Sequence, residues 1–308
     1  MSRVTVLGAN GFLGSHLVDA LVREGHGVTA FDRFAPEDVR VFEATDIRIV
    51  PGDFMNPDDV ASAIHGSDVV MHALSTTNPA TAVRNPVADM TTNVAPTVSL
   101  LQQCVDAGIR RVDFLSSGGA IYGPNTHRPH HEDDAALPVS PYGIGKLAIE
   151  RYLEYFRVSH GLDYAIFRVS NPFGTRQRPG RLQGLIPIAL RAIRDGIPVV
   201  RMGDGSMVRD YIYVEDVSGA LARLMDRELN HRLYNVGSGR GRTVSEILET
   251  LRAVTGTDFE IEARPRPATF VDYSTLDVTR FTDEHGPIEV TDFHVAIDRT
   301  WGAIKSEQ

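Results

Sequence analysis

The stretch RVTVLGANGFLGSHLVDALVREG, residues 3–25, constrains this chain more than any other. An apolar run with β-forming residues, RVTVLGA, meets a cluster of glycines, and a helical pattern opens directly behind it. Gly8, Gly11 and Gly14 have GxxGxxG spacing. Inside a strand or a helix they would cost stability, because glycine loses the most chain entropy and packs nothing. At a strand-to-helix junction they permit a tight turn and a close approach of backbone. The start of the helix then offers its N–H groups to an anion. With a strand before it and a helix behind it, the pattern is the fingerprint of a dinucleotide-binding turn.

The rest of the first half repeats the alternation. Strand-like runs at 28–32, 46–53, 68–74, 110–117 and 162–170 alternate with helical patterns at 56–66, 85–108 and 140–161. Short βα connections of this kind build a parallel sheet covered by helices on both faces. The texture changes after residue 170, where NPFGTRQRPGRLQG opens a region of short elements. The expected fold is α/β: a doubly wound parallel Rossmann sheet with a smaller mixed α/β substrate-binding domain. Residues 1–170 make the first domain, rejoined by about 208–236, and 171–308 the second. A chain of 308 residues suits one large or two intimate domains.

Asp32 ends the second strand, eighteen residues past the last glycine. A carboxylate there accepts hydrogen bonds from an adenosine ribose and repels a 2′-phosphate, which favours NAD over NADP. The net charge of −9 argues against nucleic acid or an anionic membrane as partner. No apolar run approaches the length of a membrane span, and no signal peptide is expected. The single cysteine, Cys104, fits a buried helix position and a reducing cytoplasm.

Tyr142 and Lys146 lie four apart on a predicted helix and so share a face. Ser140 supplies a cap and Pro141 a first-turn proline, which puts Tyr142 in the first helical turn. The helix dipole, the ammonium and an oxidised nicotinamide would each lower the phenol pKa toward that of a general base.

Together GANGFLG, LSSGGAIYG, YGIGK, NPFGTRQ and GDGSMVRDYIYVEDV resemble the extended short-chain dehydrogenase/reductase family, most closely its NAD-dependent sugar-nucleotide epimerases. The resemblance implies Tyr142 as catalytic base with Lys146 as its partner. It implies NAD contacts from Gly8, Asn10, Gly11, Phe12, Leu13 and Gly14, from Asp32, Asp53, Phe54 and Leu74, and from the Tyr–Lys pair. It places Ser117, Gly118, Asn171, Arg209 and Arg266 on a UDP-sugar. It also implies a homodimer formed through helices 85–108 and 140–161. The implied activity is epimerisation, most naturally at C4 of a UDP-hexose. The alternatives are a sugar-nucleotide keto-reductase or dehydratase, or a non-catalytic dinucleotide-binding protein.

Two departures from the family pattern matter. Gly118 stands where the family has a Ser or Thr, and Thr269 stands where an aspartate is common. Ser117 could supply the missing hydroxyl, or Tyr142 could take the proton directly or through water. The paired glycines would leave room for a keto-sugar to turn, or could merely ease a bend. Dehydratases carry an Asp–Glu pair just after the hydroxyl position, and Gly119 and Ala120 occupy those places here, which argues against elimination. Arg176, Arg178 and Arg181 rank below Arg209 and Arg266 as phosphate ligands. His130 and His131 read as a solvated loop, with no metal expected. His72 reads as a core histidine and Trp301 as part of a last helix.

Overall fold

The computed structural model describes residues 1–34, 41–124, 128–179, 184–267 and 269–307. Its elements run in chain order as β1 (Arg3–Leu7), α1 (Phe12–Arg23), β2 (Gly27–Asp32), β3 (Arg48–Pro51), α2 (Pro57–Ile64), β4 (Val69–His72), α3 (Pro79–Arg84), α4 (Pro86–Asp89), α5 (Ala95–Asp106), β5 (Arg111–Ser117), α6 (Gly118–Ile121), α7 (Pro141–His160) and β6 (Asp163–Val169). There follow β7 (Asn171–Phe173), α8 (Leu185–Arg194), β8 (Val199–Met202), β9 (Val208–Tyr213), α9 (Val214–Ala222), β10 (Leu233–Val236), β11 (Gly241–Thr243), α10 (Val244–Thr255), β12 (Ile261–Arg264), β13 (Tyr273–Ser274), α11 (Thr279–His285) and α12 (Phe293–Lys305). Two compact units result: Met1–Ser117, Ser140–Arg168 and Ser218–Tyr234 in one, Gly118–Val139, Val169–Val217 and Asn235–Gln308 in the other.

The first unit is built on a seven-stranded sheet of order β10-β6-β5-β4-β1-β2-β3. β1 pairs in parallel with both β2 and β4, so the strand order reverses direction at β1. In sheets wound this way, ligands bind beyond the carboxyl ends of the strands at that reversal. β4 (VVMH) is buried along its whole length, as expected of a strand covered on both faces. Its core joins Leu7, Phe31, Val70 and Phe114 of the sheet to Leu101 and Cys104 of α5 and Leu153 of α7. Burial pushes the Cys104 thiol up.

The single helix expected over 85–108 is interrupted. α4 is capped by Asn85, whose side chain accepts from the Ala88 N–H at 3.1 Å. A π-helical turn at Met90–Val94 then separates α4 from α5. Such a turn carries one residue more than an α-turn and re-aims the side chains around it. β5 stops at Ser117, where the run over 110–117 was expected to end, and Gly118 begins a short helix, α6, that was not expected.

The second unit contains a four-stranded sheet, in which β9 pairs with β11, β13 and β7, and a two-stranded sheet of β12 and β8. Phe173, Tyr211, Leu190, Ile247, Ile297 and Trp301 share its core. His130 is no solvated loop residue: it is buried and stacked on Tyr122, centroids 4.5 Å apart. Its backbone bonds to both sides of Leu276, and these bonds draw it under cover. His131, half-exposed, lies 3.5 Å from Asp133.

Candidate active site

In the first unit the glycine turn closes as the spacing requires. Gly8 has φ +85°, and a Cβ there would come within 2.8 Å of the Leu74 Cα. A Cβ on Gly14 would lie 2.0 Å from the Gly8 carbonyl oxygen. α1 therefore packs directly on the end of β1. Its cap, Gly11, provides no side-chain hydrogen bond, and no acid stands in its first turn. That leaves a helix start suited to a phosphate. Asn10 is buried, with Phe12 and Leu13 half-buried beside it. Asp32 lies at the end of β2. Its Oδ2 accepts from the Asn10 N–H at 2.9 Å and its Oδ1 from the Arg33 N–H at 2.8 Å. Both bonds fix the carboxylate while leaving it part-exposed. Gly52 donates to the Asp32 carbonyl at 3.0 Å, which brings exposed Asp53 to the neighbouring strand end. Phe54 is buried, its ring 5.3 Å from that of His72. The turn, the uncapped helix start and the ribose-side carboxylate fit a dinucleotide.

Tyr142 and Lys146 lie on α7. The Ser140 Oγ caps that helix by accepting the Gly143 N–H at 3.2 Å, with Pro141 in the first turn. Lys146 is buried. Its Nζ donates to the Leu115 carbonyl at 2.9 Å and lies 4.6 Å from the Phe114 ring centre and 5.7 Å from that of Tyr142. Burial pulls its pKa down to about 8, against the opposing pull of Asp89 and Glu150. Of the three groups expected to lower the Tyr142 phenol, one is the nicotinamide; the chain's own surroundings act the other way. Burial, and then the Asp89 carboxylate, push the phenol above its ordinary range. The dipole and ammonium arguments omitted desolvation of the phenolate, which is the larger effect here.

The two serines are sorted by their partners. Ser116 is buried, and its Oγ donates to the Glu150 Oε1 at 2.6 Å. Arg168 holds the other Glu150 oxygen at 2.7 Å. Ser116 is therefore committed to a buried network behind the helix. Ser117 is half-buried and points to the opposite face of β5.

In the second unit Asn171 begins β7, and its Nδ2 donates to the Asp210 carbonyl at 2.9 Å. A Cβ on Gly119 would lie 3.3 Å from the Asn171 Oδ1, so that glycine keeps the amide in place. Arg209 is half-buried on β9, bonded to the Val208 and Val271 carbonyls. Burial lowers its pKa, and the charge of nearby Arg266 lowers it further. Asp210, on the other face of the strand, is anchored by Ser238 and Gly239. Arg266 is exposed and paired with Asp272. Two cations beside one another, with only one acid between them, suit an anionic ligand. Thr269 is exposed. Arg181 lies outside the described residues.

Comparison with known proteins adds the family. The profile of the NAD dependent epimerase/dehydratase family matches residues 4–237. The chain belongs to that family. A UDP-glucose 4-epimerase of Mycolicibacterium smegmatis is 34% identical over 283 residues, covering 90% of each chain. The crystal structure of UDP-glucose 4-epimerase from Thermotoga maritima with UDP-glucose superposes with a TM-score of 0.90 at 32% identity, over 98% of each chain. That of Thermus thermophilus UDP-glucose 4-epimerase, in complex with NAD, does so with a TM-score of 0.91 at 29% identity, over 99% of each.

Sequence reasoning missed one residue beside the Tyr–Lys pair. Asp89 is buried at the end of α4 and lines the same narrow pocket as His72, Leu74, Asn93, Tyr142 and Lys146. The signal was Gly145. A glycine in a helix interior costs about 1 kcal/mol against alanine and so calls for a packing reason.

Proposed function

We propose that this member of the NAD dependent epimerase/dehydratase family inverts C4 of a UDP-hexose through a transient keto-sugar. The reading rests on one observation above the others: Tyr142 and Lys146 share a face of α7 in the unit that also carries the glycine turn. The named relatives and the missing acid pair at Gly119 and Ala120 support it. Bound NAD supplies the acceptor and later the donor of a hydride. The chain's residues do the rest. Gly8, Gly11 and Gly14 admit the pyrophosphate at the start of α1, and Asp32 takes the ribose. Tyr142 removes the proton of the sugar hydroxyl, and Lys146 supplies the positive charge that favours the phenolate. Ser117 is the hydroxyl that relays this proton, since Ser116 is tied to Glu150. Gly118 and Gly119 carry no side chains that would hinder a keto-sugar from turning, so that its other face is reduced. Asn171, Arg209 and Arg266 of the second unit are the groups suited to a diphosphate.

The same reading includes a homodimer, supported by exposed apolar side chains on α7 (Ile144, Tyr152, Tyr155 and Val158). No helix among the described residues is long and apolar enough to cross a membrane. The buried lone cysteine suits a reducing cytoplasm. Incubation of the purified protein with UDP-galactose and no added cofactor tests the activity. UDP-glucose should form. A strict need for stoichiometric NADH would make it a keto-reductase instead.

A further inference from the structure

Asp89 is a chemistry-bearing group that the steps above do not use. It is 3% exposed, deep for a carboxylate. Its Oδ1 accepts from the Asn93 Nδ2 at 3.1 Å and from the Thr77 hydroxyl. Those two donors aim Oδ2 at α7, where it meets Gly145. A Cβ on Gly145 would lie 1.9 Å from that oxygen, so the carboxylate could keep its place only beside a glycine. The helix thus carries a costly interior glycine at the point where a carboxylate comes in, between Tyr142 and Lys146 in sequence. Asn93 lies four residues past Asp89, within the π-helical turn at Met90–Val94, and faces it.

We propose that Asp89 is a positioning residue of this site: admitted by Gly145, its carboxylate is the counter-charge that holds Lys146 as an ammonium beside Tyr142. The inference rests on Tyr142 and Lys146 being the proton-transfer pair. Its charge acts on both. A carboxylate favours a neighbouring ammonium and disfavours a neighbouring phenolate. Lys146 and Tyr142 are both raised by Asp89, while burial lowers the first and raises the second. The other titratable groups facing the pair are few. His72 on β4 is buried and held neutral, its pKa pulled down to about 3. Glu150, one turn beyond Lys146 on α7, is neutralised by Arg168 at 2.7 Å. Among the described residues, Asp89 is therefore the carboxylate beside Lys146 that has no ion pair of its own. The consequence is a bell-shaped pH profile displaced upward at both limbs.

The test uses the full-length, NAD-loaded protein and its Asp89→Asn variant. Lys146 ionisation is read by NMR from the side-chain shifts of protein labelled with 13C-lysine, the resonance being the one that is lost in the Lys146→Arg counterpart. Asp89→Asn should lower that midpoint by roughly one pH unit. Both limbs of the kcat profile should move the same way. A midpoint that stays in place overturns the proposal, even where kcat falls, because a merely structural role lowers the height of the profile without moving it. Should Asp89→Asn not fold, Gly145→Ala takes its place. Its methyl displaces the carboxylate, so its midpoint should fall as well, and an unmoved midpoint overturns the proposal. Failure to turn over a UDP-hexose would defeat the functional reading alone, since the lysine titration needs no substrate.

Discussion

At the scale of single residues, the two serines of β5 separate structure from chemistry. Ser116→Ala removes a donor from buried Glu150 and should cost roughly 1–3 kcal/mol, read as a lower Tm with turnover largely kept. Ser117→Ala should leave Tm in place and slow turnover by about 10²-fold or more. The reverse order would assign the relay to the wrong hydroxyl. His72 makes a second prediction. Its folded pKa is depressed to about 3 by burial and then by the charge of Lys146. The unfolded chain therefore binds a proton that the folded chain refuses, and stability falls as pH drops below about 6.5. Between pH 6.5 and 5, above the range of most carboxylates, the loss should reach roughly 2 kcal/mol. A His72→Gln variant should show a flatter Tm over that window, and an equal slope would remove His72 as the cause. The Tyr–Lys pair was legible because its spacing is local to one helix. Asp89 was not, because it meets Gly145 only once α4 and α7 pack together, and no local pattern records that meeting.

Elements carry the cofactor argument. The glycine turn works only if α1 lies against the end of β1. Gly14→Ala would place a methyl 2.0 Å from the Gly8 carbonyl oxygen and so must push the helix away. The variant should lose bound NAD, measured as nucleotide released on denaturing the purified protein. Retention at the wild-type ratio would mean that the turn does not hold the pyrophosphate. This element was readable to within two residues, because the glycines and the apolar period pointed the same way. The region 85–106 was not. Its apolar period runs on through the break, and the π-turn at Met90–Val94 lies just before Pro96, whose missing N–H leaves the α-helical ladder one bond short there. The short helix after Ser117 was hidden for the opposite reason: two glycines favour no regular structure, so only packing decides their state.

For the molecule as a whole, βα alternation made the parallel sheet legible, and the right-handed crossover rule leaves few orders for it. A stretch of about 208–236 was expected to rejoin the first domain, and Ser218–Tyr234 lies in the first unit; the place of Gly118–Val139 in the second could not be read, because contacts distant in sequence decide it. A homodimer through α7 should dissociate in a Tyr155→Asp, Val158→Asp variant, seen as a halved mass in sedimentation. An unchanged mass would place any interface elsewhere. The central claim is that one carbon loses a hydride and receives the same hydride back on its other face. UDP-galactose carrying deuterium at C4 tests it most directly. The protein, with only the NAD it retains, should yield UDP-glucose with the deuterium still at C4. Product with hydrogen from solvent or from added NADH at that carbon would contradict it.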